Sequence, residues 1–266
     1  ACLVGSEMCI RDSSGRGQGG GCPPAPRCRS QSRVISFKPG ALATIYRAMT
    51  DQPAKPIALE DRDVAGARLS SPSAARNREA IAECLAERLP HGARVLEIAS
   101  GTGEHALACV SRRPDLSWIP SDPDAVSRAS TDDWAREAGG RMNPALALDV
   151  STADWIEPVG PVDAVFCANM IHIAPWPAAE GLFSGAARLL DAGQRLHLYG
   201  PFLEGARSAP SNIEFDQSLR GRDPAWGVRA IDAVDALAAR SGFDRTERVQ
   251  MPANNLLLSF ERRAGQ

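Results

Sequence analysis

The chain has 266 residues, of which 44% are apolar and 23% are charged, and its formal net charge is −2 at pH 7. This balance offers no basic surface for nucleic acid, and no apolar run approaches the roughly 20 residues of a membrane-spanning helix. Cysteine and histidine do not recur at metal-ligand spacing, so we predict no metal site. Isolated cysteines in apolar surroundings indicate a reduced, cytoplasmic protein.

The first 48 residues differ in composition from the rest of the chain. They are rich in Gly, Ser, Pro, Arg and Cys, and they carry seven basic and two acidic side chains without periodicity. Such a segment buries too little apolar surface to offset its ordering entropy. We interpret residues 1–48 as a disordered or artefactual extension, with a basic targeting segment as the alternative. The polar, proline-containing residues 49–70 are interpreted as a loose arm.

From residue 71 onward, strand and helix patterns alternate within one predicted domain, residues 71–266. Unbroken apolar strands separated by helices indicate a mostly parallel α/β sheet with helices on both faces. The last two strands are expected to form an antiparallel hairpin at the sheet edge. Helices are predicted over 71–89, 104–113, 124–138, 176–190 and 231–241, and strands over 94–98, 116–120, 145–148, 162–168, 195–199, 245–250 and 256–261.

A glycine turn follows the first strand of this domain. The strand ends near Glu97, the turn contains Gly101 and Gly103, and a helix-forming run begins at Glu104. Glycine lets a ligand lie against the backbone, and the helix start offers unpaired N–H groups. Residues 95–103 therefore predict the floor of a nucleotide-type cofactor site.

Three carboxylates fall at successive strand ends, where ligands bind in such sheets. Asp122 lies 19 residues after Gly103, the spacing at which an acid accepts hydrogen bonds from ribose hydroxyls. Asp149 is placed to accept from the exocyclic amine of a base, and Glu97 suits an ammonium group. S-adenosyl-L-methionine carries an amine, a ribose and an adenine in that order.

NAD is the alternative cofactor, because Gly101-x-Gly103-x-x-Ala106 also satisfies the dinucleotide fingerprint. Against NAD, Glu97 would place a carboxylate close to a pyrophosphate. The predicted closing hairpin also replaces the second mononucleotide-binding half that a dinucleotide fold requires. The sequence therefore favours the methyl donor.

The spacing Glu97-x-x-x-Gly101-x-Gly103, followed by the acid at Asp122 and the pair Asp149-Val150, resembles the class I S-adenosylmethionine-dependent methyltransferases. That resemblance implies a Rossmann-like seven-stranded sheet whose last strand is antiparallel, with S-adenosyl-L-methionine as cofactor. The chain departs from the class at Ala99, where glycine is more common. Several runs between residues 70 and 262 resemble, more narrowly, the family typified by methyltransferase-like protein twenty-six: 71–77, 96–105, 120–124, 166–176, 199–202 and 251–255.

Two residues after the fourth strand are candidates for the chemistry of transfer. If the acceptor is a hydroxyl or an ammonium, a base helps, and His172 is the best-placed one. Asn169 is a candidate positioning group and cofactor contact. The alternative is that both residues merely cap and turn the chain. Arg76 and Asn77 are expected to fold over the methionine end of the cofactor, unless they occupy a solvated helix face.

Tyr199 and the stretch 204–229 are expected to form the roof of the acceptor pocket. The stretch 204–229 is polar, and its side chains could select substrate, with ordinary lid packing as the alternative. The run 169–172 lacks the Asn/Asp-Pro-Pro-aromatic motif of base methylators, so we expect a small-molecule acceptor and no nucleic acid. A cofactor-binding scaffold protein without transfer is the other function class. The substrate candidates are Tyr199, Ser211, Asn212, Phe215 and Asp216.

Overall fold

The computed structural model describes residues 62–265, and these contain eight strands and six α-helices. The predictions for residues 1–48 and 49–61 lie outside the described residues. The strands are β1 (Asp63–Ala65), β2 (Arg68–Ser70), β3 (Arg94–Ile98), β4 (Ser117–Ser121), β5 (Ala164–Ala168), β6 (Arg195–Pro201), β7 (Phe243–Gln250) and β8 (Asn255–Arg262). The helices are α1 (Pro72–Ala86), α2 (Glu104–Arg112), α3 (Ala125–Ala135), α4 (Trp176–Leu189), α5 (Pro210–Arg222) and α6 (Ile231–Arg240).

Six of the strands form one mixed sheet in the order β4-β3-β5-β6-β8-β7. The strands β4, β3, β5 and β6 pair in parallel, whereas β8 is antiparallel to both β6 and β7. The predicted hairpin at the sheet edge is therefore confirmed. The strand order reverses between β3 and β5, and in open α/β sheets ligands bind at such a point, beyond the carboxyl ends of the strands.

The predicted strand at residues 145–148 is absent. Only isolated bridges, at Met142 and Leu146, connect this segment to β4. The two bridges are out of register by one residue, because Trp118 to Ser121 spans three positions on β4 whereas Met142 to Leu146 spans four. The N–H of Ala145 donates to Asp132 Oδ1 over 2.8 Å instead of to β4, so no continuous ladder forms. The expected seven-stranded sheet is therefore corrected to six strands among the described residues.

The end of the predicted loose arm forms a hairpin. The short strands β1 and β2 pair antiparallel, and Leu69 of β2 is buried. The N–H of Leu69 donates to Ser130 Oγ over 2.8 Å, and Arg68 Nε donates to Asp133 Oδ1 over 2.8 Å. The Arg68 guanidinium also lies 4.0 Å above the Trp134 ring. The expectation of a loose arm is therefore wrong for residues 62–70, which pack on α3.

Helix α5 lies within the polar stretch 204–229 and was not among the predicted helices. Of its 13 residues only Asn212 and Leu219 are buried. A helix with so little buried apolar surface has no apolar stripe, so its period is invisible in the sequence.

Two apolar clusters cover the two faces of the sheet. One packs α4 and α6 against the sheet, where Phe183 meets Phe243 and Phe260 edge-on at centroid distances of 5.9 and 5.3 Å. The other packs α1 and α2 against the opposite face. Neighbouring residues of β3 alternate between the clusters, Val95 with the α1 side and Leu96 with the α4 side, as the period of a strand requires.

Glu104, the first residue of α2, connects the glycine turn to α1. Its carboxylate is buried, and Oε2 accepts from the N–H of Ser71 over 2.8 Å and from Thr102 Oγ1 over 3.0 Å. The other oxygen, Oε1, accepts from Arg78 Nη1 over 3.0 Å. Because these partners come from α1 and from the turn, one side chain fixes the position of both.

Glu104→Gln should lower the free energy of unfolding by about 1–3 kcal/mol, because the amide offers one acceptor where three donors converge. Urea denaturation would measure the change. The matched control is Glu83→Gln, since Glu83 pairs with Arg112 over 3.1 Å in an exposed setting. The control should change stability by less than about 0.5 kcal/mol. Equal effects of the two substitutions would contradict the role assigned to Glu104.

Candidate functional site

A cleft of about 790 Å³ lies at the carboxyl ends of β3, β4 and β5. Its wall comprises the start of α1, the glycine turn, the segments after β4 and β5, part of α5 and the turn before β8. The structure brings most of the predicted site residues together here. Those that line the cleft are Arg76, Asn77, Ala99, Gly101, Asp122, Asp149, Val150, Asn169, His172, Ser211, Asn212 and Phe215.

The glycine turn contains three residues with left-handed backbone, Ala99 (φ 57°), Gly101 (φ 59°) and Gly103 (φ 94°). This conformation explains why glycine suits the position of Ala99, where a methyl group costs about 1–2 kcal/mol. Gly103 does not line the cleft. A Cβ there would lie 2.7 Å from the Cα of Thr131. This glycine therefore allows α2 to approach α3, which corrects its predicted role as a cofactor contact.

Asp122 follows β4 and is held by two backbone donors. Its Oδ2 accepts from the N–H of Gly101 over 3.0 Å, and its Oδ1 accepts from the N–H of Asp124 over 2.9 Å. Burial raises the pKa of this carboxyl, and the two N–H groups act in the opposite direction. Each oxygen retains a lone pair for a further donor. The result is a fixed pair of acceptors at the wall of the cleft.

Asp149 and Val150 line the same cleft as Asp122, on the segment that replaces the expected strand. Asp149 Oδ1 accepts from the N–H of Ser151 over 2.9 Å and also from its hydroxyl. Val150 is buried, and its carbonyl packs against Gly181 of α4, where a Cβ would lie 1.9 Å from the oxygen. Contact with α4, rather than a strand ladder, therefore positions these two residues.

Glu97 lies beneath the turn and does not reach the cleft. It shares the α1 face of β3 with Val95, is 1% exposed, and its Oε2 accepts from Trp118 Nε1 over 3.0 Å. No described residue donates to Oε1. Burial raises the pKa of this carboxyl to about 7, although the Trp118 bond lowers it. The expectation that Glu97 directly contacts an ammonium group is corrected by this burial.

Tyr199 and Asp216 also support the cleft without lining it. Tyr199 is 2% exposed, and burial raises the pKa of its hydroxyl. The neighbouring side chains of Asn77 and Asn255 act in the opposite direction and lower this pKa. Asp216 accepts from the N–H of Val228 over 2.8 Å and from Arg220 Nε over 2.8 Å. Their predicted role in substrate contact is therefore corrected to one behind the wall.

Asn212 attaches α5 to the body of the domain. Its Nδ2 donates to two carbonyl oxygens, of Phe202 over 3.1 Å and of Asn254 over 3.0 Å. Because both partners can only accept, the amide orientation is fixed. Ser211, beside it, accepts from Asn254 Nδ2 over 3.0 Å. Phe215, one turn further along the helix, is 36% exposed at the cleft.

Asn169 occupies the turn directly after β5. Its backbone is left-handed (φ 60°), its N–H donates to the carbonyl of Tyr199 over 2.8 Å, and its carbonyl accepts from the N–H of His172 over 3.0 Å. Asn169 also lines the cleft. Strained, non-glycine backbone of this kind is typical of functional sites.

His172 lies three residues further on and is 1% exposed. Its Nδ1 accepts from the N–H of Arg229 over 3.2 Å, and its ring packs edge-on against Phe202 at 5.0 Å. Since a backbone N–H can only donate, Nδ1 is unprotonated and the neutral ring carries its proton on Nε2. Burial, followed by the nearby charge of Arg229, lowers the pKa of His172 to about 3. These observations contradict the predicted role of His172 as a base.

Two arginines at the site were not predicted from the sequence: Arg222, which lines the cleft, and Arg229, which lies behind it. Arg229 supports the segment after β5. Its guanidinium donates to the carbonyls of Ile171 and Ala174 over 2.8 and 2.7 Å, which fixes the segment around His172. Its N–H reaches His172 across 57 positions of sequence. No local motif marks such a contact, so only the fold reveals it.

Within residues 62–265, every helix is too short or too polar to span a bilayer. The same residues contain no group of three His, Cys, Asp or Glu side chains that could hold a metal ion.

A family model described as "Protein of unknown function (DUF938)" matches residues 68–262, which include the sheet and the whole cleft wall from Ser71 onward. The chain belongs to this DUF938 family.

Solved structures of other proteins share the fold of this DUF938 protein. An O-methyltransferase family protein from Burkholderia thailandensis superposes with a TM-score of 0.62 at 17% identity, over 73% of this chain and 57% of its own. An O-methyltransferase family 2 protein from Planctomyces limnophilus, in complex with apigenin, superposes with a TM-score of 0.60 at 19% identity. The match covers 71% of this chain and 60% of that protein. The SAH-bound form of CalO1, a methyltransferase in calicheamicin biosynthesis, superposes with a TM-score of 0.61 at 16% identity. The match covers 71% of this chain and 54% of CalO1.

The chain thus spans less than two thirds of the length of these solved proteins. At such identities the likeness shows a shared fold alone. It does not extend to the narrower resemblance to methyltransferase-like protein twenty-six, which stays a prediction.

Gly200 of β6 leaves the space that His172 occupies. A Cβ at this position would lie 2.6 Å from His172 Nε2 and 3.1 Å from Asn169 Oδ1. We expect Gly200→Ala to displace the imidazole and lower the free energy of unfolding by about 1–3 kcal/mol in urea denaturation. In the control Gly221→Ala, in α5, the new methyl meets nothing within 4 Å and should be neutral or stabilising. A Gly200→Ala protein as stable as the parent would contradict this packing.

Glu97 should make stability depend on pH. Its pKa is about 7 in the folded protein and 4.5 ordinarily, so between these values the folded state keeps a proton that the unfolded state releases. The free energy of unfolding therefore falls as pH rises across this window, by up to about 3 kcal/mol.

Glu97→Gln should remove that dependence. Between pH 4.5 and pH 7.5 the parent should lose unfolding free energy through Glu97, whereas the variant should not. Urea denaturation at both pH values should therefore show the variant gaining stability relative to the parent. Groups common to both proteins cancel in this comparison. A difference that stays constant with pH would show that Glu97 ionises normally.

Proposed function

We propose that this protein binds S-adenosyl-L-methionine in the cleft and transfers its methyl group to a small-molecule acceptor. The observation that carries the proposal is the Asp122 carboxylate, held by Gly101 and Asp124 and open to the cleft. Two fixed acceptors at the end of the second parallel strand suit the two ribose hydroxyls of a nucleoside. Asp149, which lines the same cleft, suits the exocyclic amine of adenine.

The remaining wall fits the rest of the cofactor. Arg76 and Asn77 of α1 lie at the turn side, where the methionine part would extend. The cofactor supplies a methyl group already activated on a sulfonium, so the protein has to align the acceptor and exclude water. Asn169 and His172 are the candidates for that alignment. A volume of about 790 Å³ is enough for a nucleoside cofactor together with a small acceptor.

The charges around the turn disfavour NAD. Glu104 begins α2 and Asp122 lies opposite, so a pyrophosphate at this place would lie close to carboxylates. The sheet also closes with the β7–β8 hairpin, instead of a second parallel half for the other nucleotide. Both observations disfavour a dinucleotide, and the carboxylates favour a ligand with a cationic centre.

The solved proteins of similar fold support the same proposal. CalO1 binds SAH in its solved structure, and the Planctomyces limnophilus protein holds apigenin, a small molecule. Carried over to this chain, they suggest the same cofactor and an acceptor of comparable size.

Calorimetric titration with S-adenosyl-L-methionine, with NAD in parallel, tests the proposal. We expect binding of the methyl donor and a loss of about 10- to 100-fold on Asp122→Asn, because the amide nitrogen would face a backbone N–H and the charge would disappear. The matched control is Asp163→Asn, since Asp163 accepts from the N–H of Arg94 over 2.8 Å at the opposite end of the sheet. Asp163→Asn should leave the affinity unchanged.

Binding of NAD instead of the methyl donor would overturn the proposal. Equal losses in the two aspartate variants would show that Asp122 acts through stability alone. Cofactor binding without turnover of any acceptor would favour the scaffold function.

A further inference from the structure

The part of the cleft beyond the turn, which we call the acceptor end, is formed after β5, by α5 and by the turn before β8. Most of its surface is apolar, contributed by Met170, Ile173, Ala174, Pro175, Pro177 and Phe215. Among the described residues lining this end, the ionisable side chains are His172 and Arg222. The carboxylates Asp122, Asp124 and Asp149 line the cofactor part of the cleft instead.

His172 cannot take a proton from an acceptor. Its Nδ1 lone pair is engaged by the N–H of Arg229, and its Nε2 already carries the proton of the neutral ring. A second proton would create an imidazolium beside the Arg229 guanidinium, which carbonyl bonds hold in place. Within its 1% exposed ring, Nε2 is left as a buried donor that no described residue satisfies.

The other histidine of the cleft is placed differently. His105, at the start of α2, has its Nε2 within 2.8 Å of Asn77 Oδ1. Burial, and then the charge of Arg78, lowers the pKa of His105 to about 4. It therefore lies on the turn side with a weakly basic ring, and it does not supply the missing base at the acceptor end.

We infer that the acceptor enters this cleft with its nucleophilic oxygen already ionised, as a small, largely apolar acid such as a carboxylate. The inference rests on the proposed function. An oxygen anion would form the new O–CH₃ bond while the S–CH₃ bond breaks and its electron pair goes to sulfur, so no proton is transferred. The Nε2–H of His172 would donate to such an oxygen, and the positive charge of Arg222 would favour it.

Calorimetry on the protein saturated with S-adenosylhomocysteine tests this inference with benzoate and its neutral isostere benzamide as probes. We expect benzoate to bind at least about 10-fold more tightly at pH 7. Equal or tighter binding of benzamide, or no binding of benzoate, would overturn the inference. Failure of S-adenosylhomocysteine to bind would instead overturn the proposed function on which the inference rests.

Variants of His172 separate a donor from a structural role. In His172→Gln the amide oxygen can accept from Arg229 and the amide nitrogen can donate, so the preference for benzoate should survive. His172→Phe should abolish the preference. Loss of the preference in the Gln variant would contradict the donor role. Nitrogen-15 NMR of the parent protein gives a second measurement, and a proton on Nδ1 instead of Nε2 near neutral pH would overturn the inference.

Arg222 provides a test that leaves the buried ring intact. Arg222→Gln should reduce the preference for benzoate at least about threefold, because a charge at the cleft wall is lost. The control is Arg220→Gln, which makes the same change in the last turn of α5 at a residue paired with Asp216 away from the cleft. Equal effects of the two substitutions would contradict a local role of Arg222.

Discussion

The buried carboxylate of Glu104 is the contact on which the geometry of the cleft depends. It begins α2 and receives hydrogen bonds from Ser71, Thr102 and Arg78, so the turn, α1 and α2 meet at one charged group. A carboxylate in the first turn of a helix is also stabilised by the helix dipole. The glycine turn and the wall formed by α1 are therefore positioned by a residue that does not line the cleft.

From this fixed corner, the polar groups of the cleft follow the sheet. The strands β4, β3 and β5 run in parallel, so the residues after them arrive at one edge. Asp122 follows β4, the glycine turn follows β3, and Asn169 follows β5. Where the expected strand is missing, packing of the Val150 carbonyl against Gly181 positions the segment that carries Asp149. Backbone hydrogen bonds hold each group, so the cleft is built before any ligand enters.

Much of this arrangement could be predicted from the sequence, because its signals are local. The spacing from Gly101 to Asp122 depends on one helix and one strand, and both form as expected. The strand at residues 145–148 was predicted wrongly, because its apolar residues suggested a strand although its pairing with β4 shifts by one residue and is limited to isolated bridges. Helix α5 gave no apolar period, since only Asn212 and Leu219 are buried.

The errors at the site have a different origin, which is partners distant in sequence. Glu97 was expected at the ligand, but strand alternation directs it to the face where Trp118 binds it. The position of His172 after β5 was predicted, whereas its protonation was not, because the N–H of Arg229 decides it. The residue type and its place in the chain are enough to identify a candidate residue. Its protonation state depends on a hydrogen-bond partner that only the fold brings close.

The shallow burial of α5 has a consequence for motion. Asn212 and Leu219 are its buried residues, and the amide of Asn212 spans to Phe202 and Asn254. Elements with few buried contacts open by local unfolding at a lower free energy than the core. The backbone amides of α5 should therefore exchange with solvent deuterium sooner than those of α2 and α4. The roof of the acceptor end should thus open before the helices that cover the sheet, and the sheet beneath it stays folded as it does.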